Sequence, residues 1–80
     1  MADPVVVMYS RRTCGLCDKA RDVILAERHR RPFKFQEVFI DGDDALERDY
    51  GLRVPVVVID GREEFEFEVE PARFSSLLRQ

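Results

Sequence analysis

The stretch that most constrains this chain is "VVVMYSRRTCGLCDKA", where an apolar run passes within a few residues into a helical pattern with two cysteines at the junction. The unbroken apolar, β-branched residues from Pro4 to Tyr9 predict a strand covered on both faces, and so one internal to its sheet. From Leu16 onward the apolar positions are Leu16, Ala20, Val23 and Ile24, one face of a helix with a period of about 3.6 residues. A strand therefore feeds a helix directly, and Cys14 and Cys17, the chain's only cysteines, lie at the join.

The rest of the sequence extends this unit. The helix is predicted to end near Arg31, because Pro32 disfavours helical geometry in the residue before it. Arg28, Arg30 and Arg31 then occupy its last turn, where cations favour the negative end of the helix dipole, so "RHRR" requires no binding role. His29 reads as a solvated residue of that turn. "FKFQEVFID" (33–41) predicts a second strand, parallel to the first through a right-handed crossover, and a short helix over Asp44 to Tyr50 is stopped by Gly51.

"VPVVVIDGREEFEFEV" predicts a third strand, an Asp60-Gly61 hairpin turn and an antiparallel fourth strand. In that strand Phe65, Phe67 and Val69 alternate with Glu64, Glu66 and Glu68, and the acidic row reads as a charged outer face that discourages aggregation. Pro71 opens a last helix with Phe74, Leu77 and Leu78 on one face. The expected fold class is α/β, in the order βαβαββα, with a four-stranded mixed sheet flanked by helices and a single domain over residues 1–80.

Size and charge narrow the function. Eighty residues suffice for one small core. No apolar run approaches the roughly 18 residues that span a bilayer, and the first residues lack the pattern of a secretory signal, so a cytoplasmic protein without a membrane partner is expected. The net charge of −3 argues against a nucleic-acid partner. In a reducing cytoplasm two cysteines rarely make a purely structural bridge, and closing so short a loop would contribute only about 2 kcal/mol. A tetrahedral zinc site would need more ligands than Cys14, Cys17 and His29 provide.

A cysteine at a helix start has another use. The first turn carries unpaired N–H groups and the positive end of the dipole, which favour thiolate over thiol at Cys14. Arg11 and Arg12, candidate substrate-binding residues, either add to this effect or are two solvated loop residues. Cys17 lies one turn on and on the same face, placed to attack a mixed disulfide formed at Cys14. A nucleophile with a resolving partner one turn away is the arrangement of a dithiol oxidoreductase.

With "VVVMYSRRTCGLC" followed by "VPVVVIDG" in this element order, the chain resembles the glutaredoxin-like members of the thioredoxin superfamily over nearly its whole length. The resemblance implies a thioredoxin fold, a cis bond before Pro55 with that proline beside the sulfurs, and a substrate-binding backbone at Val54. It implies thiol-disulfide oxidoreductase activity with no bound cofactor and no metal, acting as a monomer on a protein or small-molecule disulfide and recharged by a reductase or thiol reductant. Two features depart from the family pattern. Proline is absent from Cys14-Gly15-Leu16-Cys17, and no Gly-Gly pair precedes the last helix, where "EFEFEVEPARF" stands instead. The acidic residues and Pro71, which has no N–H, disfavour glutathione as a co-substrate. Two other classes remain open on the sequence. One is a metal or iron-sulfur carrier in which two chains pool Cys14 and Cys17, and the other a non-catalytic interaction module using its acidic strand.

Overall fold

The computed structural model describes residues 3–79. Its elements are β1 (Val5–Ser10), α1 (Gly15–Arg28), β2 (Lys34–Phe39), α2 (Asp44–Tyr50), β3 (Val56–Ile59), β4 (Arg62–Glu66) and α3 (Pro71–Leu78). The strands form one mixed sheet in the order β2-β1-β3-β4. β1 and β2 pair in parallel from Val5↔Lys34 to Ser10↔Phe39, while the β1–β3 and β3–β4 pairs are antiparallel. Asp60 and Gly61 both adopt positive φ, 49° and 85°, which matches the right-handed twist of the two strands they join.

The core is built from strand side chains and from α1 and α3. Val6, Met8, Val57, Ile59 and Phe65 meet Ala20, Ile24, Phe74 and Leu78 in a single buried cluster. Phe74 is fully buried there, with Phe33 edge-on at 5.9 Å and Phe65 tilted at 6.2 Å between ring centroids. Burial of each such side chain stabilises the fold by roughly 1.5–3 kcal/mol before ordering costs. Among the described residues no helix is long and apolar enough to cross a membrane.

The apolar run of β1 is internal by pairing, but it is not sealed on both faces. Val6, Met8 and Ser10 are buried, while Val7 and Tyr9 are only half-buried. The half-covered residues lie on the side of α2, which contributes no buried residue. Contact with α2 includes the Tyr9 ring stacked on Tyr50, with centroids 4.1 Å apart and planes 12° from parallel. Burial, and then the adjacent Tyr9, raises the Tyr50 hydroxyl above its ordinary pKa.

Three local readings change, two in extent and one, the Gly51 stop of α2, only in its cause. α1 ends at Arg28, because the chain tightens into turns in which Arg30 and Arg31 N–H both donate to Glu27 O. Only Arg28 lies in the last turn, and Arg31 Nε instead folds back to within 3.0 Å of the nearly buried Glu27 carboxylate. Gly51 ends α2 with an ordinary φ of −53°. Its lack of a side chain matters because a Cβ would run into Glu47 O and come within 2.9 Å of Arg11 Nη2.

The third change is in β4. The register shifts between Val57↔Phe65 and Val58↔Glu63, a bulge that breaks the expected alternation. Glu63 and Glu66 thereby meet Arg53, whereas Glu64 pairs with Arg73 of α3. The strand stops at Glu66, and Phe67, expected to continue it, has φ 69° and an exposed ring.

Candidate active site

The end of β1 leads through a short loop into the start of α1, where the two cysteines lie. Cys14 is the N-cap of α1, with extended backbone at φ −155° and ψ 106°. Its Sγ accepts a hydrogen bond from Cys17 N–H at 3.1 Å, which supplies one of the partners that a helix start otherwise lacks. The two sulfurs form a disulfide, with Cα atoms 5.2 Å apart. Their surroundings differ. Cys14 is partly exposed, while Cys17 is completely buried.

Side chains on three elements brace the loop that carries Cys14. Ser10, completely buried at the end of β1, donates its hydroxyl to Glu37 Oε2 at 2.7 Å. Glu37, on β2, also takes two hydrogen bonds from Arg21 of α1, at 2.7 and 2.5 Å. The Arg21 guanidinium holds the Glu37 carboxyl below its ordinary pKa against the opposing effect of burial, and Ser10 assists. Arg21 further reaches Asp18, in the first turn of α1, at 2.9 Å. These bonds tie α1 to the sheet.

Arg11 and Arg12, expected either to support the Cys14 thiolate or to be solvated loop residues, make their contacts elsewhere. Arg11 bonds Glu47 and the Gly51 carbonyl, each at 3.2 Å, which clamps the loop to α2. Arg12 N–H donates to Asp41 Oδ1 at 3.1 Å, and its guanidinium lies 4.8 Å from the Phe39 ring centroid. Both side chains shape the loop from the side of β2 and α2.

The Val54–Pro55 peptide bond is cis, as the resemblance implied, and Pro55 is fully buried. Among the described residues the Val54 backbone makes no hydrogen bond outside regular elements. Arg53 fixes this segment from the preceding position, bonding Glu63 at 2.8 Å, Glu66 at 3.2 Å and Asp49 O at 2.9 Å. Its guanidinium also lies 5.5 Å from the Tyr50 ring centroid. On the other side, Phe67 N–H donates to Pro55 O at 2.9 Å, and Glu68 N–H closes onto Glu66 O at 2.8 Å. The second bond makes Phe67 the centre of a γ-turn with positive φ, the rare and strained form.

A groove of about 260 Å³ lies between α1 and the segment leading into α3, with Leu16, Lys19, Phe67, Glu68 and Glu70 among its lining residues. At its end α3 begins, and its first free N–H groups are already occupied. Glu70 accepts from Ala72 N–H at 3.2 Å and from Arg73 N–H at 2.7 Å. Pro71 has no N–H to add. A glycine pair would leave this helix start open to an incoming carboxylate, whereas this chain fills it with its own.

The sequence reading missed Ser10, Arg21, Glu37, Arg53, Phe67 and Glu70 as parts of this region. Ser10 carried a signal, a lone hydroxyl ending an apolar strand. Arg21 and Glu37 carried none, since their pairing depends on how α1 lies over β2. Among the described residues no group of three or more His, Cys, Asp or Glu side chains is placed to hold a metal ion.

The family model of the glutaredoxin-like domain (DUF836) matches residues 5–79. The X-ray structure of protein XcR50 from X. campestris is 39% identical, covers 92% of this chain and 95% of its own, and superposes with a TM-score of 0.79. A thioredoxin from Halobacterium salinarum NRC-1, 23% identical, covers 98% of this chain and 74% of its own with a TM-score of 0.66, and shows the fold to be that of thioredoxin. The Mycobacterium tuberculosis protein Rv0508 is 28% identical over 78 residues, 91% of this chain and 80% of its own. This fold, with a disulfide between cysteines of Cys-x-x-Cys spacing, supports thiol-disulfide redox chemistry.

Proposed function

From the membership of this chain in the glutaredoxin-like family, we propose that it is a dithiol-disulfide oxidoreductase of the cytoplasm in which Cys14 attacks and Cys17 resolves. The observation that carries this reading is the unequal setting of the two sulfurs, one partly exposed at a helix N-cap and the other completely buried one turn away. An incoming disulfide can reach only the exposed sulfur, and only a partner held against it can displace the product.

The cycle balances without a metal or organic cofactor. The Cys14 thiolate attacks one sulfur of the substrate disulfide, the substrate S–S bond breaks, and the departing thiolate takes a proton. Cys17, losing its proton, attacks Cys14 Sγ, forms the Cys14–Cys17 disulfide and releases the second substrate thiol. Two electrons have passed to the substrate. A thiol or flavoprotein reductant outside the chain restores both cysteines. By the family resemblance Val54 offers its backbone to an extended target segment and Pro55 packs beside the sulfurs, while Arg11 and Arg12 hold the loop in place.

Reduction of a protein disulfide by the pre-reduced chain, followed by mass spectrometry of the substrate and of Cys14–Cys17, tests the reading. Transfer of two electrons per chain is expected. A dithiol form that leaves every offered disulfide intact would overturn it.

A further inference from the structure

We infer that Phe67 is a specificity-determining residue, forming with Leu16 an apolar clamp for a side chain flanking the reactive cysteine of an extended, non-acidic polypeptide. The inference rests on the proposed oxidoreductase reading and names its substrate class.

Phe67 is not part of the buried core. Its ring is 45% exposed, while its neighbours in sequence spacing, Phe65 and Val69, are buried in the core. The chain holds it in a left-handed conformation that a bulky residue rarely adopts, at φ 69°. A glycine would occupy this turn without strain, so the aromatic side chain is the feature that requires explanation. The turn is anchored from both sides, by Phe67 N–H on Pro55 O and by Glu68 N–H on Glu66 O. The ring is thereby fixed relative to the segment that carries Val54.

Leu16 stands between the two cysteines and is 46% exposed. It lines the same groove as Phe67, so two exposed apolar side chains, one of them set between the cysteines in sequence, share one cleft. The cleft volume, about 260 Å³, suits a single side chain or a short stretch of chain. Burying an apolar group between a leucine and an aromatic ring is favourable in proportion to the area removed from water.

The charges of the cleft select among occupants. Glu68 and Glu70 line it against a single cation, Lys19, so its rim is net negative. The Glu70 carboxylate already takes the N–H groups that a bound carboxylate would need. A small anionic tripeptide is repelled, and a neutral or basic polypeptide segment with an apolar residue beside its cysteine fits. Such a segment lies extended along Val54 and places the neighbouring side chain between Leu16 and Phe67.

The test uses the pre-reduced 80-residue chain in single turnover, with the coloured thiol 2-nitro-5-thiobenzoate released from four mixed disulfides. Two are decapeptides with aspartate two residues from the cysteine, identical except for Leu or Ser beside it, the third is the Leu peptide with lysine in place of that aspartate, and the fourth is cysteine methyl ester. Each reaction is balanced by the protein's own dithiol, which becomes the Cys14–Cys17 disulfide as both thiols are released. The wild-type chain is expected to react at least about tenfold faster with the Leu peptide than with the Ser peptide, the scale of a well-packed apolar anchor. Phe67→Gly, which relaxes the backbone and removes only the ring, should bring this ratio close to one, and Phe67→Leu should retain most of it. Lysine in place of aspartate two residues from the cysteine should speed the wild-type reaction. Equal wild-type rates with the Leu and Ser peptides, or a Phe67→Gly chain that keeps the ratio, would overturn the clamp. If the wild-type chain releases nothing even from the methyl ester, the oxidoreductase reading falls, and the clamp falls with it.

Discussion

Cys17 N–H donates to Cys14 Sγ across 3.1 Å, so the partly exposed sulfur is held by the backbone of the residue whose own sulfur is completely buried. The residues of the pair are thereby unequal before any substrate arrives. Cys14→Ser is expected to abolish protein-disulfide reduction. Cys17→Ser should instead accumulate a mixed disulfide on Cys14, because no thiol remains to resolve it. Intact-mass measurement after incubation with a disulfide-bonded protein separates the two, and an adduct on Cys14→Ser alone would reverse the assignment.

The same hydrogen bond and the helix N-terminus favour a negative charge on Cys14. In Cys17→Ser, where Cys14 is the only thiol, it should titrate below the ordinary cysteine value of about 8.5. Thiolate absorbance followed against pH reads this directly. The rate of alkylation by iodoacetamide should rise through the same pH range, and a midpoint at or above the ordinary value would remove the proposed activation.

Glu37 is held below its ordinary carboxyl pKa chiefly by Arg21, with Ser10 assisting. A depressed folded-state pKa contributes stability above the unfolded value and loses it as pH falls through the folded one. Glu37→Gln should therefore cost stability at neutral pH, on the order of 2 kcal/mol for hydrogen bonds to a charged group. The difference from wild type should narrow as the medium is made acid enough to protonate Glu37. Urea midpoints measured at neutral and acid pH test this, and a difference that is constant or widens on acidification would contradict it.

The electron donor follows from the start of α3. Glu70 occupies the Ala72 and Arg73 N–H groups, and Pro71 offers none. A donor that docks through protein surface is expected to outperform glutathione. NADPH oxidation should be faster with a thioredoxin-reductase-type flavoprotein than with glutathione and glutathione reductase at equal protein concentration. Faster turnover with glutathione would show that the tripeptide finds a site elsewhere.

The sequence by itself determined what depends on near neighbours. Strand and helix periods produced all seven elements in order, Asp60-Gly61 specified its turn, and spacing placed Cys14 and Cys17 one turn apart at a helix start. These are short-range consequences of backbone geometry and residue type, so a linear reading reaches them. Tertiary structure decided the rest. A bulge at β4 divided the acidic row between Arg53 and Arg73, and the bond from Phe67 N–H to Pro55 O drew Phe67 out of the strand. The positions of α2 and Asp41 drew Arg11 and Arg12 into other bonds, and the lie of α1 over β2 joined Arg21 to Glu37 across sixteen positions. Such pairings depend on where the backbone places charged ends in three dimensions. Neither partner's local pattern encodes that distance.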